Sequence, residues 1–119
     1  MLNDFFTFSD LKREAGKIGC QVSFNAGHEV FKGHFPHQPV VPGVCSMAIV
    51  RLLLEEQMNR KLQLQRAGNV KFLQLLLPES QPEVVLTYEP KEEGIQVNAT
   101  FTLEEKPVFK MSGMYVEKQ

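Results

Sequence analysis

The sequence predicts an α+β domain in which one curved antiparallel sheet wraps a single long helix. Three observations predict it. The stretch from Val44 to about Arg60 is made of helix formers, and its first half is apolar on nearly every side. Short runs that alternate apolar and polar residues lie before and after it. The chain has 119 residues, the size of one domain spanning 1–119, so these elements must share a core.

The elements follow in order. Phe5 to Lys12 and Lys17 to Asn25 read as strands. The second carries Ile18, Cys20, Val22 and Phe24 in alternation with Gly19, Gln21 and Ser23, the pattern of a half-buried strand. Gly16 fits the turn between them. From His28 to Gly43 the prolines Pro36, Pro39 and Pro42 disfavour helix and push the residues before them toward extended geometry. Val30, Phe31, Phe35, Val40 and Val41 imply that this extended loop packs against something. Pro42 and Gly43 then open the helix. Within it Val44, Cys45, Met47, Ala48, Ile49, Val50, Leu52, Leu53 and Leu54 are interrupted only by Ser46 and Arg51. A helix apolar all round is a buried one. Glu55, Glu56, Gln57, Asn59, Arg60 and Lys61 bring its far end into water.

The second half reads as a meander. Leu62 to Leu77 is a long extended stretch with a bulge or bend near Gly68 and Asn69. Pro78 to Pro82 is a turn, and Glu83 to Glu89 a strand with Val84, Leu86 and Tyr88 on one side. Gly94 marks a hairpin into Ile95 to Leu103, the clearest alternating run of the chain. Lys106 and Pro107 make the next turn, before a last strand from Val108 to Val116.

Composition narrows the function classes. Hydrophobic residues are 43% and charged residues 23%, as in an ordinary globular protein and unlike a disordered chain or collagen. No apolar run approaches the ~18 residues of a membrane helix, so no membrane partner is expected. Thirteen Lys and Arg against fourteen Asp and Glu leave a net charge of -1, which offers no footprint for nucleic acid. Cys20 and Cys45 are too few for a disulfide scaffold. No signal peptide is visible at the start, so a cytoplasmic location is expected. A domain this small buries only about two thirds of its unfolded surface. Its apolar helix must be wrapped by its own sheet or shared with a partner.

The informative segment is Gly33-His34-Phe35-Pro36-His37-Gln38-Pro39-Val40-Val41-Pro42-Gly43-Val44. It resembles the GHFPxxPxxPGV signature of the 3-hydroxyacyl-(acyl carrier protein) dehydratases of the FabZ/FabA type. In pattern the likeness runs from about Lys17 to Val116, and it implies that family's hot-dog fold, a sheet around one central helix. It also implies the chemistry: water is eliminated from a 3-hydroxyacyl thioester to give a trans-2-enoyl thioester. That reaction needs a base for the C2 proton, an acid for the departing hydroxyl and a donor to the thioester oxygen. By the resemblance His34 is the base. A histidine in an apolar loop is held neutral, which suits the role. The Gly43 N–H, at a helix N-terminus, polarises the carbonyl. Phe35, Pro42, Val44, Met47 and Ala48 line the substrate, and Ile49, Leu52, Leu53 and Phe72 are further candidates for an acyl tunnel. The implied partners are an acyl-ACP or acyl-CoA thioester and the acyl carrier protein. No cofactor or metal is implied.

The chain departs from the family at one place. The acidic residue five positions after the Gly of Pro-Gly is here Ala48, and a methyl group cannot protonate a leaving hydroxyl. Glu55 lies seven residues on, nearly the same helical side but about 10 Å along the axis. His37, on the loop with His34, is a second titratable group, or a surface histidine. A partner is the third source, because family members pair as homodimers or higher even oligomers, and a heterodimer with an acid-bearing homologue would complete a mixed site. The alternatives are therefore an acid-less, non-catalytic subunit of a dehydratase, or a hot-dog thioesterase. Other readings are blander. Cys45, in the first helical turn, is core packing more readily than an activated thiol, and Cys20 points inward. His28, His34 and His37 lack the carboxylate or Cys of a zinc site. Lys32, Arg51, Arg66 and Lys71 could meet an acidic carrier or its phosphate, or be solvated charges.

Overall fold

The computed structural model describes residues 4–29, 31 and 40–118. Strands β1 (Phe6–Glu14) and β2 (Lys17–Phe24) precede helix α1 (Gly43–Met58). Four strands follow: β3 (Leu62–Phe72), β4 (Glu83–Lys91), β5 (Gly94–Leu103) and β6 (Lys106–Glu117). All six join in one antiparallel sheet of order β1-β2-β4-β5-β6-β3. The chain therefore leaves the sheet near one edge at β2, passes through α1 and returns at the opposite edge as β3. That crossing lays the helix against the sheet's inner side.

The alternation read from the sequence sets that inner side. Ile18, Cys20, Val22, Val84, Leu86, Ile95, Val97, Ala99 and Phe101 are all buried. Strand register aligns Cys20, Val84, Phe101, Phe109 and Phe72 in a single row across the sheet. The last three are aromatic, and the Phe101–Phe109 and Phe109–Phe72 ring centroids are each 5.1 Å apart. The row ends at the edge strand, where Phe72 is 59% exposed.

Five details differ from the sequence reading. The extended stretch from Leu62 stops at Phe72 instead of Leu77. Beyond it the amides of Leu73 and Gln74 both turn to the Val108 carbonyl, at 2.9 and 3.2 Å, and the Val41 amide bonds the Leu76 carbonyl at 2.7 Å. The turn expected at Lys106 and Pro107 lies at Glu104 and Glu105, both with positive φ (49° and 68°), the geometry of a two-residue hairpin loop. Pro107 instead sits in β6 at a register irregularity, where a missing N–H is tolerated. The helix ends at Met58, before Arg60, because Asn59 adopts the left-handed cap (φ 55°, ψ 44°) and its N–H bonds the Glu55 carbonyl.

The fourth difference concerns burial. Helix α1 is not buried all round. Cys45, Ser46, Ile49, Val50, Leu53 and Leu54 face the sheet, whereas Val44 is 73% exposed and Met47, Ala48, Arg51 and Leu52 are half-buried. Glu55, expected in water, is buried. Around His28 to Gly43 the packing is as expected at Phe31, Val40 and Val41, which are buried. At Phe31, however, the chain turns instead of extending, its amide bonding the His28 carbonyl at 3.1 Å. The predicted irregularity in β3 falls between Ala67 and Val70. A Cβ at Gly68 would come within 2.7 Å of Ser112 Oγ, the hydroxyl that accepts the Asn69 amide at 3.0 Å. Among the described residues no helix is long and apolar enough to cross a membrane.

Candidate functional site

The site is built where α1 begins. Pro42 is the N-cap (φ -61°, ψ 144°), without a side-chain hydrogen bond, and the first turn carries no acidic residue. The Cys45 amide bonds the Pro42 carbonyl at 3.0 Å. The amides of Gly43 and Val44, at the first two helical positions, have no carbonyl within the helix to bond. This end of the helix therefore keeps its partial positive charge uncompensated by a carboxylate of its own first turn.

A cavity of about 270 Å³ opens beside it, lined by Pro42, Gly43, Ser46, Phe72, Leu75 and Phe109 among others. Its wall is the outer end of the aromatic row. Gly43 fits closely there: a Cβ would stand 2.6 Å from Phe72 Cε1, so that ring would have to move. Phe72, Leu75 and Val44 leave an exposed apolar margin around the opening. In size the cavity is at the small end of small-molecule pockets.

The residues expected at the site divide into five groups. His34, Phe35, His37 and Lys32 lie outside the described residues. Gly43, Pro42 and Phe72 line the cavity. Val44, Met47 and Ala48 lie on the open side of α1, apart from the cavity lining. Ile49 and Leu53 are core, at 0% and 2% exposure. Arg66 and Lys71 are exposed on β3. Lys71 stands opposite Lys110 of β6.

Glu55 cannot serve as the missing acid. Its Oε2 accepts the Leu62 amide at 2.7 Å and its Oε1 accepts Arg51 Nη1 at 3.0 Å. Both oxygens are thus used to tie the helix C-terminus to the start of β3, and Arg51 is an ion-pair partner instead of a free cation. The first-turn thiol behaves as core: burial pushes the Cys45 thiol up, against the lowering a helix N-terminus would give. The Cys20 thiol is pushed up to about 11 by the same cause. The His28 ring packs edge-on to Phe5, centroids 5.4 Å apart.

The residue that sequence reasoning passed over is Ser46. It is buried, lines the cavity beside Gly43, and its signal was a hydroxyl interrupting an otherwise apolar run.

A chain from the dehydratase heterocomplex ApeI:P of Xenorhabdus doucetiae superposes with a TM-score of 0.78 at 17% identity, covering 93% of this chain and 97% of that one. An uncharacterized protein from Erwinia carotovora subsp. atroseptica gives 0.72 at 17% identity, covering 93% of each chain. These likenesses establish the hot-dog fold. No curated relative matches in sequence. Residues 10–113 match the profile of the ApeI-like family, described as ApeI dehydratase. That span takes in both the sheet and the whole of α1, and so the chain belongs to the ApeI-like dehydratase family.

Proposed function

We propose that the protein binds a 3-hydroxyacyl thioester at the opening of α1 and supplies the base half of a dehydration site. The observation that carries this reading is the pair of amides at Gly43 and Val44, without a carbonyl partner among the described residues, beside an apolar cavity; His34 lies nine residues before Gly43 in the sequence. The thioester oxygen accepts the Gly43 N–H, which stabilises the enolate-like charge as the C2 proton departs. His34 takes that proton. The C3–O bond then breaks, an acid protonates the hydroxyl as it leaves as water, and a trans-2-enoyl thioester remains. The imidazolium afterwards returns its proton to the spent acid or to solvent. Every atom is accounted for without a cofactor.

The acid comes from a partner. Ala48 has no proton to give and Glu55 is engaged on both oxygens, so an acid-bearing homologue facing the open side of α1 completes the site. The exposed Val44 and the half-buried Met47, Ala48 and Leu52 offer an apolar surface for that subunit. The name of the Xenorhabdus heterocomplex supports such pairing. Acyl carrier protein is the natural bearer of the substrate, and two free thiols suit the reducing cytoplasm.

The test is to incubate the chain with a 3-hydroxyacyl thioester, alone and with an acid-bearing homologue, and follow enoyl absorbance and thiol release. Enoyl product formed by the mixture, and reduced about 10²–10⁴-fold by His34→Ala, is the expected outcome. Ala48→Glu should let the chain alone form enoyl product. Thiol release without enoyl product would replace the reading with a thioesterase.

A further inference from the structure

Two polar side chains of α1 are buried among the described residues, Ser46 at 3% and Glu55 at 8% exposure. Glu55 is satisfied by Leu62 and Arg51. Ser46 is not: its hydroxyl bonds no atom of the described residues, although it lines the cavity beside Gly43 and Phe72. A helical serine commonly turns its hydroxyl back to the carbonyl one turn earlier. Here the Pro42 carbonyl instead accepts the Cys45 amide. The hydroxyl stays open to the cavity and is not among the fully buried atoms that lack a partner, but a plain hydrocarbon filling the cavity would exclude water from it and leave it unpaired. A chain bearing an oxygen at the right carbon would satisfy it.

The geometry points to Ser46 as a specificity-determining residue that hydrogen-bonds the 3-hydroxyl of the acyl chain and thereby distinguishes 3-hydroxyacyl from saturated and enoyl thioesters. The inference rests on the acyl-thioester reading above. Gly43 and Ser46 are three residues apart, about 4.5 Å along the helix axis. This is the scale that separates the carbonyl oxygen from the 3-hydroxyl within one substrate. With the thioester oxygen on the Gly43 amide, the third carbon falls alongside Ser46. The serine keeps its own proton and orients the leaving group; it is no substitute for the partner's acid. Once water has left, the enoyl chain offers Ser46 no oxygen, so the same contact favours product release.

The experiment uses two unreactive amide analogues of a pantetheine thioester, with nitrogen in place of sulfur and the carbonyl kept, one 3-hydroxyacyl and one saturated, titrated calorimetrically into the full chain. Wild type should prefer the 3-hydroxy analogue about tenfold, the worth of one buried hydrogen bond. Ser46→Ala, which suits a helix, should bring the two affinities within about twofold while leaving the saturated analogue unchanged. Ser46→Cys, with a weak donor of similar size, should fall between. Equal binding of both analogues by wild type, or a preference that survives in Ser46→Ala, overturns the Ser46 assignment and leaves the acyl site standing. Failure of both analogues to bind wild type overturns both readings together.

Discussion

The two ends of α1 are finished in opposite ways. At the C-terminal end Asn59 closes the last turn, and Glu55 holds both the Leu62 amide and Arg51. Gln57 Nε2 also donates to the Tyr88 hydroxyl at 2.8 Å. At the N-terminal end there is no side-chain cap and no acidic residue in the first turn, and the apolar residues Val44, Phe72 and Leu75 stay exposed. One end anchors the helix to the sheet; the other leaves donors, a cavity and an uncovered apolar margin. A helix held firmly at one end can leave its other end chemically unfinished without losing its place, and an unfinished end is where a ligand or a partner finds something to bind.

The largest effect that would break this contrast is at the anchored end. Glu55→Ala removes two hydrogen bonds and leaves the buried Leu62 amide unpaired, for an expected loss of about 2–4 kcal/mol in urea unfolding. Turnover per folded molecule should stay near wild type. Lost turnover with unchanged stability would move the chemistry to the wrong end of the helix.

A smaller effect sharpens the contrast through the thiols. Burial raises both Cys20 and Cys45. A thiol whose folded pKa lies above its unfolded value near 9 adds stability that is full below pH 9 and lost as pH rises through the folded value. With Cys20 at about 11, stability should fall by roughly 2 kcal/mol between pH 9 and 11, and Cys20→Ala should flatten that slope. Cys45 should alkylate slowly at pH 7, because burial outweighs the helix dipole in its first turn. Rapid alkylation would show that the opening is wetter than its lining implies.

Much of this arrangement was legible in the residues, and the parts that were not have physical causes. Alternation at Ile18–Phe24 and Ile95–Leu103 declared which side chains point inward, because strand period is insensitive to context. The helix was visible in composition, but its one-sided burial was not. An apolar Val44 or Met47 reads the same whether a sheet or a second subunit is meant to cover it. The hairpin at Glu104 and Glu105 was hidden because two glutamates in left-handed geometry carry no turn signature, whereas Pro107 does. Glu55 looked like a solvated helix end, since nothing local reveals that Leu62 folds back onto it. The aromatic row from Phe101 to Phe72 is a product of register, which joins residues far apart in the chain.

The smallest expected effect tests the unfinished end directly. A methyl group at Gly43 would press on the Phe72 ring at 2.6 Å, but that ring lies at the sheet edge and is more than half exposed, so it can swing aside. Gly43→Ala should therefore change stability by less than about 1 kcal/mol, the more so because alanine suits a helix better than glycine. Its consequence falls on the cavity: the methyl and the displaced ring narrow the approach to the amide, raising KM for an acyl thioester severalfold. Phe72→Ala in the same chain removes the clash and should return most of that affinity. If Gly43→Ala instead leaves KM untouched while binding remains measurable, the acyl chain does not pass between α1 and the end of the aromatic row. The substrate would then lie along Val44 and Ala48, on the side of the helix left for the partner.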